Sequence, residues 1–71
     1  MRDTEFALQV NGETRVVPES CTVVGLVRSL GLDGRRIAVA VNRDVVPRSL
    51  YGEHRLRAGD RVEILEAVGG G

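Results

Sequence analysis

Three consecutive glycines, Gly69, Gly70 and Gly71, close this 71-residue sequence, directly after the apolar run Val62-Glu63-Ile64-Leu65-Glu66-Ala67-Val68. Glycine loses more backbone entropy on ordering than any other residue, so a terminal run of it stays mobile until something grips it. It is also thin. At about 3.3 Å per extended residue, three glycines reach roughly 10 Å past the last apolar side chain. That is enough to carry the Gly71 carboxylate into the narrow active site of another protein. A frayed terminus or the stub of a cloning linker is the bland alternative from the tail alone.

Few other residues could do chemistry. One cysteine, Cys21, cannot close an intramolecular disulfide, and together with one histidine, His54, it falls short of a tetrahedral metal set. A catalytic thiolate at Cys21 would need an orienting base, and no Asp or Asn motif supports His54 in that role. Cys21 reads instead as a small side chain packed at the entrance of a helix. No G-x-x-x-x-G-K-[ST] phosphate loop and no acidic metal site is present. The chain is therefore expected to bind no cofactor or metal itself, to lack catalytic residues, and to be handled by an enzyme.

All ten basic residues are arginine. Genome base composition is one account of that. A second is chemical: an activated terminal carboxylate would be wasted on lysine amines of its own chain, whereas guanidinium is not a useful nucleophile.

Seventy-one residues make one domain, near the lower limit for folding without crosslinks. With 42% hydrophobic and 28% charged residues the composition is globular rather than disordered. Ten basic and ten acidic residues cancel, which removes the electrostatic motive for nucleic acid or an anionic membrane as partner. The charged start Met1-Arg2-Asp3-Thr4-Glu5 has no apolar signal core, and no stretch is long enough to span a membrane. A cytoplasmic monomer is expected.

The elements that must hold out the tail are legible in the pattern. Phe6, Leu8 and Val10 alternate with polar or small residues, Asn11-Gly12 supplies a type I′ turn, and Thr14 to Val17 returns before Pro18. Residues 5–17 therefore read as a hairpin. Thr22 is placed as N-cap of a helix over 23–30, whose Val23, Leu26, Val27 and Leu30 form one stripe, with Gly31 at the left-handed position beyond its end. Gly25 within that helix costs about 1 kcal/mol relative to alanine. Residues 37–41 form a central apolar strand, Asn42-Arg43-Asp44 a turn, and Val45-Val46 a short strand stopped by Pro47. Residues 48–57 read as a loop with one short helical turn, Ala58-Gly59-Asp60 as a turn, and 62–68 as the last strand. This order closes as an α+β protein, a mixed sheet of four to five strands with one helix packed across it, the β-grasp architecture. The domain spans 1–68 and the flexible tail 69–71.

The segments Ile37-Ala38-Val39-Ala40-Val41-Asn42-Arg43-Asp44-Val45-Val46-Pro47-Arg48, Ala58-Gly59-Asp60-Arg61-Val62-Glu63-Ile64 and Val68-Gly69-Gly70-Gly71 resemble the ThiS family of sulfur carrier proteins of thiamine biosynthesis, which are ubiquitin-like. The internal Asn-x-x-Val-Val-Pro-Arg segment is the more discriminating part, since Gly-Gly tails and Gly-Asp turns are shared by other carriers. Glu66-Ala67-Val68, in place of a proline-rich approach to the glycines, favours the thiamine branch over the molybdopterin one. The third glycine, Gly69, departs from the usual pair and adds reach only.

The resemblance implies a ThiF-like enzyme that adenylates Gly71 with ATP and Mg²⁺, a sulfur donor protein, and a ThiG-like thiazole synthase that receives sulfur from the thiocarboxylate. Gly69 and Gly70 would thread into the partner. By the strand period Val62 and Ile64 face the helix while Leu65 and Ala67 face outward. Leu65 and Ala67, with Val46 and Arg48, are the expected docking residues. A carrier for molybdopterin or cysteine synthesis, or a ubiquitin-like protein modifier, would use the same tail.

Overall fold

The computed structural model describes residues 4–67. Strand β1 (Glu5–Val10) and strand β2 (Glu13–Pro18) pair antiparallel across Asn11 and Gly12, whose φ values of 50° and 85° are those a type I′ turn demands. Pro18 sits opposite Glu5 at the end of an edge strand, where a missing N–H does least harm.

Helix α1 (Val23–Ser29) starts and stops where its capping residues dictate. The Thr22 hydroxyl accepts the Gly25 N–H at 3.3 Å. At the other end Gly31 lies at φ 74°, the Gly31 N–H donates to the Arg28 carbonyl and the Leu32 N–H to the Val27 carbonyl, the two bonds of a Schellman motif. Leu30 is the C-cap rather than a helical residue, so the helix ends one position before the sequence pattern suggests.

Strands β3 (Ile37–Val41) and β4 (Asp44–Val46) form a second hairpin, and β5 (Arg61–Glu66) completes a five-stranded sheet in the order β2-β1-β5-β3-β4. Among the described residues only the β1–β5 pair is parallel. Thus β5 takes the middle position, and β3, paired with β5 on one side and β4 on the other, is an interior strand as its apolar run suggests. A 3₁₀ turn (Arg48–Leu50) opens the segment between β4 and β5. That segment is tied to the start of α1: Val23 and Val24 donate their N–H groups to the carbonyls of His54 and Tyr51, and the Leu56 N–H donates to the Cys21 carbonyl. The helix's first unpaired donors are satisfied that way.

The core lies between α1 and one face of the sheet, with Leu8, Val23, Leu26, Val39 and Val62 each almost wholly enclosed. Tyr51 and Leu56 are drawn in from the loop to close its edge. The opposite sheet face carries Gln9, Arg61, Glu63, Leu65, Ala38, Ala40 and Val45, as the registers Gln9↔Arg61, Ala38↔Leu65, Ala40↔Glu63 and Ala40↔Val45 require.

Candidate functional site

The predicted reactive group, Gly71, and its thread, Gly69 and Gly70, lie outside the described residues. What the structure describes is the place from which they leave. The last paired residues of β5 are Leu65, opposite Ala38, and Glu66, opposite Ile37. The Ala67 N–H then donates to the Arg36 carbonyl at 2.8 Å, so the chain is held against the start of β3 up to the point where the tail begins.

Leu65 points away from the core and is 73% exposed, as the strand period requires, and Ala67 is exposed beside it. Arg48 reaches the same place from beyond β4. Its Nη2 donates to the Arg35 carbonyl at 3.0 Å, which fixes the guanidinium near the exit. Arg36, Ala38, Arg48, Leu65 and Ala67 line one shallow groove. Three of the four residues expected at a docking surface, Arg48, Leu65 and Ala67, are therefore brought together. Val46 is not among them.

Val46 is a correction. It is only 5% exposed and pairs with Val39 in the core. The two-residue turn at Asn42-Arg43 sets the register of β3 and β4, so that Val46 falls on the helix face and Val45, 74% exposed, falls on the open face with Ala40. The strand period of Val45-Val46 held the signal, but it has no phase until the partner strand is known. Arg35 was also not singled out by sequence: its Nη1 pairs with Glu66 Oε2 at 2.6 Å, across 31 positions of sequence. That ion pair brackets the tail root and neutralises the acid nearest it.

Cys21 is half-buried, its Sγ donating weakly to the Thr22 carbonyl at 3.4 Å. Burial pushes its thiol above the ordinary value, the reverse of what an activated nucleophile needs. His54 serves through its backbone carbonyl, on the Val23 N–H. Among the described residues no group of three His, Cys, Asp or Glu side chains could hold a metal ion. None of their helices is long and apolar enough to cross a membrane.

The sequence pattern of the ThiS family matches residues 5–71, the tail included. The chain belongs to the ThiS family. Its fold superposes on the crystal structure of the thiamine biosynthesis protein (ThiS) from Geobacter metallireducens with a TM-score of 0.79 at 32% identity, over 93% of this chain and 100% of that one. Two further relatives frame the ThiS-family assignment. A thiazole synthase of Paramagnetospirillum magneticum is 42% identical over 64 residues, 90% of this chain but 20% of that protein. The uncharacterized protein ycf40 of Porphyra purpurea is 31% identical over the whole of both chains. The chain thus spans about a fifth of the length of the thiazole synthases it matches, and the whole length of the ThiS structure it matches.

Proposed function

We propose that this ThiS-family chain is a sulfur carrier of thiamine biosynthesis, a carrier and substrate rather than an enzyme, whose reacting atom is on the Gly71 carboxylate. Carboxylate oxygens are poor leaving groups, so sulfur enters only after activation. In this reading a ThiF-like partner uses ATP and Mg²⁺ to join the carboxylate to AMP with loss of pyrophosphate. Sulfur from a donor protein then displaces AMP, one carboxylate oxygen leaving with it, and the thiocarboxylate passes its sulfur to a ThiG-like thiazole synthase. Gly69 and Gly70 are the thread, and the groove of Arg48, Leu65 and Ala67 is the surface the partner meets.

The observation that carries the reading is the family match through Gly71. It is supported by thiazole synthases that contain, within a fifth of their own length, a stretch similar to nearly all of this chain. Carrier and recipient of sulfur would be physically joined in such proteins. A cytoplasmic location, with the other soluble enzymes of such a pathway, goes with this reading.

The test is intact-mass analysis after incubation with ATP, Mg²⁺, the activating enzyme and a sulfur source. An oxygen-to-sulfur mass increase that fragmentation confines to Gly71 is expected. Unchanged mass, with the activating enzyme shown to be competent on another carrier, would overturn the proposal; heavier adducts linking Gly71 to lysines of other proteins would turn it to a protein modifier.

A further inference from the structure

The exit of β5 is ringed by cations. Arg35, Arg36 and Arg48 stand around one acid, Glu66, and Arg35 already neutralises it at 2.6 Å. Among the described residues Arg36 and Arg48 have no carboxylate within ion-pair distance. Arg48 spends one of its five N–H donors on the Arg35 carbonyl, leaving a fixed fork that matches a carboxylate in shape. Arg36 is fixed through its backbone, by the bond from Ala67.

Between these cations the floor is apolar and open. Ala38 and Ala67 carry only a methyl group each, and Leu65 stands exposed beside them. A side chain that enters here would meet methyl and leucine groups in a groove that Arg36 and Arg48 also line. Every residue beyond Ala67 leaves from this point, so a protein that takes up the tail brings the mouth of its cleft to this groove.

We propose that the groove seats an apolar side chain of the thiazole synthase, flanked by carboxylates that pair with Arg36 and Arg48. This inference rests on the sulfur-delivery reading above and adds to it the chemistry of the partner's surface. The synthase is the occupant because relatives that bear its name carry a likeness of this chain within the same polypeptide. Rim charges of this kind act chiefly on association rate and on its salt dependence, while the seated side chain acts on dissociation.

The test measures association and dissociation of the full chain with the purified thiazole synthase of the same organism, at about 50 and 300 mM salt. For Arg36→Gln/Arg48→Gln, association about tenfold slower at low salt is expected, with most of the salt dependence gone. Ala38→Leu fills the groove, and dissociation about tenfold faster is expected. Arg28→Gln, whose arginine is exposed at the end of α1, should match the wild type. Urea unfolding of each variant separates loss of fold from loss of contact. If the wild-type chain binds and both groove variants bind as it does, the groove proposal is overturned and the sulfur-delivery reading stands. If the wild-type chain does not bind the synthase, the partner assignment falls and this inference falls with it.

Discussion

The side-chain amide of Asn11 forms a two-armed hydrogen bond with the backbone of Ile64, Nδ2 donating to the Ile64 carbonyl at 3.1 Å and Oδ1 accepting the Ile64 N–H at 2.9 Å. Strand β1 turns away at Asn11 while β5 runs on for two more turns of the pleat. The amide side chain takes the place of the backbone that has left, so the tail-bearing strand stays paired on that side. Asn42 does the same at the start of β5: its Oδ1 accepts the Arg61 N–H at 3.0 Å, and its Nδ2 donates to Asp60 at 3.0 Å. Each hairpin thus gives its first turn residue to the central strand.

Asn11 should matter for the clamp as well as for the turn. Asn11→Gly keeps the positive φ and removes both bonds, and a loss of about 1–2 kcal/mol in urea unfolding is expected. Asn11→Ala should cost about 1 kcal/mol more, because alanine must also hold φ near 50°. Asn11→Asp tolerates the turn but sets an oxygen against the Ile64 carbonyl, so it should be less stable than the glycine variant at neutral pH. Equal stability of Asn11→Gly and the wild type would reduce Asn11 to a turn residue.

Arg43 sits at φ 73° in the second turn, a left-handed position that side chains with a Cβ resist. Arg43→Gly should raise stability by about 0.5–1 kcal/mol, the relief of strain being partly offset by the greater freedom of glycine in the unfolded chain. The urea midpoint checks this, with an unchanged slope expected.

Gly25 is exposed on α1, and a Cβ there would meet only Thr22 Oγ1 at 3.6 Å and Cys21 Sγ at 3.7 Å, ordinary contact distances. Close packing therefore does not require this glycine. Gly25→Ala should stabilise the fold by about 0.5–1 kcal/mol through helix propensity, read as a rise in melting temperature. A fall would mean that the Cys21 side chain cannot yield.

Leu65 is exposed on a strand whose opposite face holds the core. Leu65→Asp should change stability by no more than about 1 kcal/mol, yet raise KM for the activating enzyme and weaken binding to the thiazole synthase. Unchanged values for both partners would remove Leu65 from the docking surface.

The raised Cys21 thiol makes a pH prediction. Its folded form holds the proton more tightly than the unfolded chain does, because burial penalises the thiolate. That contribution to stability is fully present below the ordinary thiol pKa and is lost as pH rises through the raised folded-state value. Alkylation of the native protein should accordingly lag behind that of the urea-unfolded protein at mildly alkaline pH, and the lag should shrink as pH increases. Cys21→Ser should remove the alkaline loss of stability if Cys21 is its source.

Where the structure agrees with expectation, the information was local. Asn11-Gly12 fixes its turn by the sign of φ, Thr22 and Gly31 fix the helix ends by the hydrogen bonds they supply or permit, and the alternation in β5 turns Leu65 out and Ile64 in. These are properties of neighbours in the chain, so the amino-acid sequence by itself determined them, along with the glycine tail and the balance of charge. Tertiary structure decided what depends on pairing between distant segments: the inward phase of Val46, the Arg35–Glu66 ion pair, the gathering of Arg36, Ala38 and Arg48 around the tail root, and the grip of Asn11 on Ile64 across 53 positions of sequence. The physical reason is that a strand's period says which residues alternate but not which set faces the core, and a side-chain amide says what it can bond but not which backbone will lie beside it. Only the registers of β5 with β1 and β3 settle both.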